Sequence, residues 1–117
     1  MGKNNVILIV GVNNVDPDKE QEFNDFFTDV HIREIVQIRG AKRATRYRAA
    51  PHPVGGPPVP YPKYITVYEF DSEESLAEYE ASREKQNRGE IPPLTSVPVE
   101  VEHVWRTAYV PISQVSE

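Results

Sequence analysis

The most constraining feature of the sequence is a short apolar run near its start, at residues 6–12. The run is rich in β-branched residues and has the length of one strand, so it predicts a β-strand. Its residues do not alternate between apolar and polar, so both faces of the strand should be buried. Helices can cover one of these faces. In a chain of 117 residues, the simplest cover for the other face is an identical subunit, which predicts a homodimer.

A helix should follow, with Asp16 as its N-cap and Pro17 at its first position. Its apolar stripe has helical spacing and consists of Phe23, Phe26, Phe27 and Val30. A second stripe, on a different face, consists of Ile32, Ile35, Val36 and Ile38. One straight helix cannot bury both stripes against one sheet. The helix should therefore bend or break near His31, and Gly40 should end it.

The remaining elements complete a β-α-β-β-α-β order. Strands are predicted at residues 41–49, 63–70 and 99–110, with a helix over residues 71–87 that Asp71 should cap. In the last strand, one face is predicted to carry Val99, Val101, His103, Trp105, Thr107 and Tyr109. Residues 50–62 are rich in Pro and Gly and predict an irregular loop, of the length at which loops often act as lids. This order is the ferredoxin-like α+β plan, here in a single domain over residues 1–117.

Composition narrows the range of partners and locations. The formal net charge of −5 argues against nucleic acid, whose phosphates require a clustered cationic face. No run reaches the ~20 apolar residues that cross a bilayer, and cysteine is absent, which excludes disulfides and thiolate metal sites. We therefore expect a cytoplasmic protein with no membrane partner. One cationic cluster is interpreted as the solvated edge of a strand, with anion binding as the alternative; it consists of Arg39, Lys42, Arg43, Arg46 and Arg48.

Several short motifs carry a resemblance to a known family: Phe26-Phe27-Thr28-Asp29-Val30-His31-Ile32, Ile38-Arg39-Gly40, Arg46-Tyr47 and residues 64–70. Their order and spacing resemble the EthD-like branch of the dimeric α/β-barrel superfamily, over residues 5–111. Arg33 and Arg39 depart from the family pattern, which usually has Pro at both places. The resemblance implies a four-stranded antiparallel sheet that packs its outer face on a partner's sheet. It also implies a pocket between the sheet and the helices of each subunit.

His31 is the first candidate for chemistry. It lies at the phase change of the helix, where a side chain can turn toward the sheet. Imidazole has an ordinary pKa of about 6.5 and can exchange a proton near neutral pH. The family resemblance favours this catalytic role. The structural alternative is a histidine that caps the carbonyl groups at the helix break.

Tyrosines of the predicted sheet form the second group of candidates. Tyr47 and Tyr68 are predicted as catalytic, and Tyr64 as a contact to the substrate. A buried phenol combines an apolar ring with one polar group that can orient an aromatic ligand or stabilise an oxyanion. The alternative for each of them is ordinary strand packing, because tyrosine favours strands.

Four further side chains complete the predicted substrate-binding set. Phe27 belongs to the aromatic stripe of the first helix. Arg46 is expected either to bind a substrate carboxylate or to form a salt bridge with Glu69 on the neighbouring strand. The pattern leaves open whether His103 and Trp105 line the pocket or lie in the dimer interface.

The main functional hypothesis is a cofactor-independent enzyme that acts by proton transfer on a small hydrophobic or aromatic metabolite. Isomerase, cyclase, decarboxylase and lyase chemistry all belong to this class, and the Pro-rich loop would close over the pocket. No metal is predicted, because the histidines lack a metal-binding spacing and the helical pair of His31 and Glu34 has low specificity. The alternatives are a haem-binding protein with an axial histidine, a cofactor-free monooxygenase, and a non-catalytic ligand-binding or accessory protein of a catabolic operon.

Overall fold

A computed structural model describes residues 5–51, 54–56 and 61–117 of the chain. Its strands are β1 (Val6–Asn14), β2 (Arg43–Arg48), β3 (Tyr64–Phe70) and β4 (Val101–Tyr109). They form one sheet in the order β2-β3-β1-β4, with every neighbouring pair antiparallel. The helices are α1 (Glu20–Phe26), α2 (Ile32–Gln37) and α3 (Glu73–Asn87). The predicted ferredoxin-like α+β fold is thereby confirmed.

The hydrophobic core lies between the sheet and the helices. β3 alternates strictly, and its buried face carries Tyr64, Thr66, Tyr68 and Phe70, as the sequence predicts. The core contains two adjoining clusters. The first consists of Leu8, Ile35, Ala41, Tyr68, Phe70 and Tyr79. The second consists of Val12, Phe23, Phe26, Phe27 and Tyr64.

The other face of the sheet, which we call the outer face, is also largely apolar. In β1 and β3 it carries Ile7, Ile9, Ile65 and Val67, all half-buried in the single chain. The flanking strands add three aromatic side chains that are 39–55% exposed, namely Trp105, Tyr47 and Tyr109. This agrees with the prediction that β1 is apolar on both faces.

The first helix breaks where the two apolar stripes meet. Asp16 caps a short turn over Pro17–Lys19 that leads into α1, and its Oδ1 accepts a hydrogen bond from the backbone N–H of Asp18 at 2.9 Å. Between α1 and α2 the chain forms a π-helical turn, Phe27–His31, closed by the backbone N–H of Ile32, which donates to the Phe27 carbonyl oxygen. This wider turn changes the phase of the helix and confirms the predicted break.

The end of α2 corrects one detail of the second stripe. Ile38 follows the last helical residue and is 58% exposed, so it does not belong to the buried stripe. Gly40, at φ +90°, ends the segment as predicted, because a left-handed residue lets the chain turn away from the helix.

The N-cap of α3 is Ser72, and the prediction of Asp71 is wrong. The Ser72 Oγ accepts a hydrogen bond from the backbone N–H of Ser75 at 3.1 Å. Asp71 forms an ion pair with Lys42 instead, at 3.3 Å between carboxylate oxygen and Nζ. Tyr79 is the buried residue of α3, which fits a helix whose apolar stripe is thin.

β4 contains an irregularity that the sequence pattern did not reveal. Val12 pairs with His103, whereas the preceding Gly11 pairs with Trp105, so Val104 is an extra residue in β4. A bulge of this kind moves the following side chains to the opposite face of the sheet. His103 therefore faces the helices and Trp105 lies on the outer face. The prediction that these two share one face is wrong.

The Pro-rich loop is described only in part, and His52 and most of its prolines lie outside the described residues. Its last residue, Pro62, is buried against Gly11 on the outer face of the sheet. This end of the loop thus lies on the opposite side of the sheet from the helices, where the predicted pocket is. Within the described ranges, no helix is long and apolar enough to cross a membrane.

Candidate functional site

A cavity of about 350 Å³ opens between the helix-facing side of the sheet, α3 and the segment that leads from α3 to β4. Its volume lies within the range usual for small-molecule sites. Residues of both core clusters form its floor. Its apolar lining consists of Val10, Val12, Phe27, Ile35, Pro93 and Leu94. Its polar and titratable lining consists of His31, Arg39, Thr66, Tyr68, Tyr79, Arg83, Gln86, Asn87, Thr95, Ser96, His103 and Arg106.

His31 is the last residue of the π-helical turn, and its imidazole lies against aromatic rings. Ring centroids are 5.2 Å apart for His31 and Phe27 and 5.9 Å apart for His31 and Phe26. Burial lowers the pKa of His31 below its ordinary value; Glu34 opposes this effect, while Arg46 and His103 add to it. The imidazole is therefore neutral at pH 7 and able to accept a proton.

Tyr68 and His103 face the same cavity from the sheet. The Tyr68 side chain is almost fully buried, and this burial raises the pKa of its phenol well above the ordinary value, with a further contribution from Tyr79. Tyr68 therefore keeps its proton at neutral pH, which leaves the hydroxyl able to donate a hydrogen bond. His103 faces this side of the sheet because it pairs with the buried Val12, and the bulge at Val104 moves Trp105 to the other side.

Three arginines also line the cavity, and of these only Arg39 was a candidate, in the cationic cluster for which anion binding was the alternative. Arg106 in β4 donates two hydrogen bonds to the carboxylate of Glu80, at 3.1 and 2.5 Å. Arg39, just after α2, donates to the side chain of Gln86 at 2.8 Å and to the carbonyl oxygen of Pro92 at 2.9 Å. Arg83 in α3 is the third of them.

The predicted cationic cluster is dispersed by the fold. Arg39 reaches the cavity, whereas Lys42 pairs with Asp71 and Arg43 pairs with Glu69, with its Nε 3.7 Å from the carboxylate. Because Arg43 stands opposite Glu69 in the sheet, the predicted alternative of a salt bridge between Arg46 and Glu69 is wrong.

Arg46 and Tyr64 belong to a second group of side chains, outside the cavity. The Arg46 guanidinium lies over the rings of Phe23, Phe27 and Tyr64, at 5.8, 5.6 and 5.2 Å. Its Nη1 donates to the Thr28 hydroxyl at 2.9 Å. These contacts hold α1 and the π-helical turn against β2 and β3.

Tyr47 and Trp105 do not face the cavity either. Both lie on the outer face, Tyr47 opposite Ile65 and Trp105 opposite Gly11. Four of the eight predicted site residues therefore meet at the cavity: Phe27, His31, Tyr68 and His103. Their chemical roles stay predictions. Across the part of the chain that the structure describes, no three side chains of the metal-binding types come together.

The fold defines the class: an α+β protein with a ferredoxin-like fold and a four-stranded antiparallel sheet. The chain belongs to the family described as domain of unknown function DUF4286, whose profile matches residues 6–92. No curated protein matches this chain.

Similar folds occur in solved structures. A conserved protein from Methanosarcina mazei Go1 is 20% identical with a TM-score of 0.50, over 92% of this chain and 93% of that one. HapK from Hahella chejuensis is 13% identical with a TM-score of 0.55, over 96% and 97%. A dimeric ferredoxin-like protein of unknown function from Thermobifida fusca YX is 12% identical with a TM-score of 0.50, over 92% of each chain. At these identities the likeness establishes the fold and not an activity.

Proposed function

We propose that this chain is a small cofactor-independent enzyme that acts by proton transfer on a small hydrophobic or aromatic metabolite bound in the cavity. The observation that carries the proposal is the imidazole of His31 in the wall of a cavity of about 350 Å³, packed against Phe26 and Phe27, where burial lowers its pKa. An imidazole that is neutral at pH 7 and half-buried beside a cavity is suited to act as a general base.

The proposed division of roles follows from the protonation states. His31 takes a proton from a carbon atom of the substrate and returns it at another position or to the leaving group. Tyr68 keeps its proton and donates a hydrogen bond to the substrate oxygen that gains negative charge. Phe27 supplies an apolar wall beside the reacting group. Isomerase, cyclase, decarboxylase and lyase reactions all contain such a step.

The motifs that resemble the EthD-like branch support the same reading, because that superfamily includes cofactor-free enzymes with a pocket between sheet and helices. It also includes haem enzymes, so haem binding is a competing proposal for the same cavity. Absorption spectroscopy separates the two. If the purified protein develops a Soret band when haem is added, the result favours the haem-binding proposal.

We also propose that the working unit is a homodimer joined through the outer faces of two sheets. The apolar outer face and the dimeric state of the Thermobifida fusca protein of similar fold support this. Light scattering after size-exclusion chromatography measures the molar mass in solution and tests the proposed homodimer. Val67→Glu, in the middle of the outer face, should yield a monomer, whereas Val115→Glu, at a position 96% exposed, should leave the dimer intact. A dimeric Val67→Glu protein would contradict this interface.

The catalytic proposal can be tested without knowing the natural substrate. The probe is 5-nitrobenzisoxazole, a compact aromatic molecule that reports on a base in an apolar cavity. The base removes the C–H proton of the isoxazole ring, the electron pair forms a nitrile, and the N–O bond breaks to release a coloured phenolate. We expect His31→Gln to reduce the protein-dependent rate by about 100-fold or more, the usual contribution of a general base.

The pH profile of this reaction identifies the base. The rate should rise with pH and level off with an apparent pKa below 6.5, because burial lowers the pKa of His31. His103→Gln should move that inflection to higher pH, since His103 contributes to lowering the pKa of His31. A rate that is the same in the wild type and in His31→Gln would refute the proposed role. Probe binding without any His31-dependent rate would favour a non-catalytic binding protein.

A further inference from the structure

The cavity is far more cationic than the chain as a whole. Its lining holds three arginines, and no Asp or Glu side chain lines it within the described residues. The whole chain, by contrast, carries a formal net charge of −5. This concentration of cations is therefore a property of the cavity and not of the composition.

The carboxylates nearby neutralise the three arginines only in part, and Glu34, which interacts with Arg39 electrostatically, is hydrogen-bonded to Thr95. One carboxylate, Glu80, is shared by two of the arginines. It accepts two hydrogen bonds from Arg106, and its Oε1 also lies 3.6 Å from Nη1 of Arg83. Arg39 is held by neutral groups only, the amide oxygen of Gln86 and the carbonyl oxygen of Pro92. In the described ranges, no carboxylate lies within ion-pair distance of Arg39. A guanidinium has five N–H donors, so Arg39 keeps donors for a further partner.

We infer that the ligand of this cavity is a small carboxylate with an aromatic or aliphatic body, whose carboxylate group pairs with Arg39. This inference rests on the proposed function in one respect, namely that the cavity binds a small molecule. A planar carboxylate fits the flat guanidinium through two parallel hydrogen bonds. Phe27, Ile35 and Leu94 supply the apolar surface for the rest of the ligand.

Three probes with the same ring and different charge test this inference: 2-naphthoate, the neutral 2-naphthylmethanol and the cationic 2-naphthylmethylamine. Their dissociation constants are measured by amide NMR titration of the full chain. We expect 2-naphthoate to bind at least tenfold more tightly than the alcohol, which corresponds to about 1.4 kcal/mol, and the amine to bind most weakly.

Variants assign the preference to one side chain. Arg39→Met should bring the affinity for 2-naphthoate down to that for the alcohol, whereas Arg39→Lys, which keeps the charge, should retain part of the preference. The matched control is Arg33→Met, which removes the same charge from an exposed position on α2 and should leave the preference unchanged. The affinity for the neutral alcohol shows that each variant retains its cavity.

The outcomes separate the two proposals. Equal affinity for naphthoate and alcohol, with the His31 signals perturbed by both, would overturn the anion preference and leave the catalytic proposal standing. Equal effects of Arg39→Met and Arg33→Met would overturn the assignment to Arg39. If none of the three probes binds, both the ligand class and the proposed cavity function are wrong.

Discussion

Gly11 offers the sharpest test of how the outer face is built. A Cβ atom at this position would lie 2.6 Å from Cγ of Pro62, 3.3 Å from Cβ of the same ring and 3.3 Å from Cε2 of Trp105. Carbon atoms in favourable contact are about 3.5–4.0 Å apart, so the proline ring would have to retreat by about 1 Å. Forcing one extra carbon into such a site typically costs about 1–3 kcal/mol. We therefore expect Gly11→Ala to lower the free energy of unfolding by about that amount, or the melting temperature by roughly 4 °C per kcal/mol.

Urea unfolding followed by tryptophan fluorescence is a direct assay, because Trp105 is the single tryptophan and contacts Gly11. Gly55→Ala is the matched control, since a Cβ there would meet no atom of the described residues within 4 Å. It should change the free energy of unfolding by no more than about 0.5 kcal/mol. Both variants must be compared at one protein concentration, because the proposed dimerisation would also stabilise the folded chain. Equal unfolding midpoints for the two variants would refute the packing of Pro62 against the sheet.

Three further predictions concern the helices and the titration of the site. Burial lowers the pKa of His31, so protonation of its imidazole favours the unfolded chain. The free energy of unfolding should therefore fall as the pH drops from about 6.5 through the folded-state pKa. His31→Gln should flatten this pH dependence, measured as urea unfolding midpoints from about pH 8 to about pH 5. Phe23→Ala should destabilise by about 3–5 kcal/mol in urea titrations, because Phe23 is 0% exposed. Ser72→Ala should cost about 1 kcal/mol in thermal unfolding and Asp71→Ala clearly less, and the reverse order would contradict the cap assignment.

The helix break could be predicted from the sequence because its cause is visible in the apolar periodicity. The stripe that contains Phe23 and the stripe that contains Ile35 have different phases, and no straight helix reconciles them. The structure resolves the conflict with one wider turn at Phe27–His31. The periodicity could not distinguish a π-helical turn from a kink or a complete break, because each of these shifts the phase.

The composition of the cavity could not be predicted in the same way. The bulge at Val104 leaves no trace in the pattern, because the side chains of β4 do not alternate in polarity on either side of it. The cationic lining was also missed. Arg39 and Arg106 come from the end of α2 and from β4, and only the packing of α3 between them brings both to one cavity. Sequence spacing carries no information about such a meeting.

The two departures from regular structure act on the same place. The π-helical turn ends on His31, and His103 directly precedes the bulge in β4, so each irregularity lies next to an imidazole that lines the cavity. Each also disrupts regular hydrogen bonding, and the π-helical turn in addition lets both apolar stripes of the first helix pack on the sheet. π-helical turns and bulges occur frequently at functional sites. That both converge on one cavity supports assigning the function to it, independently of any pKa.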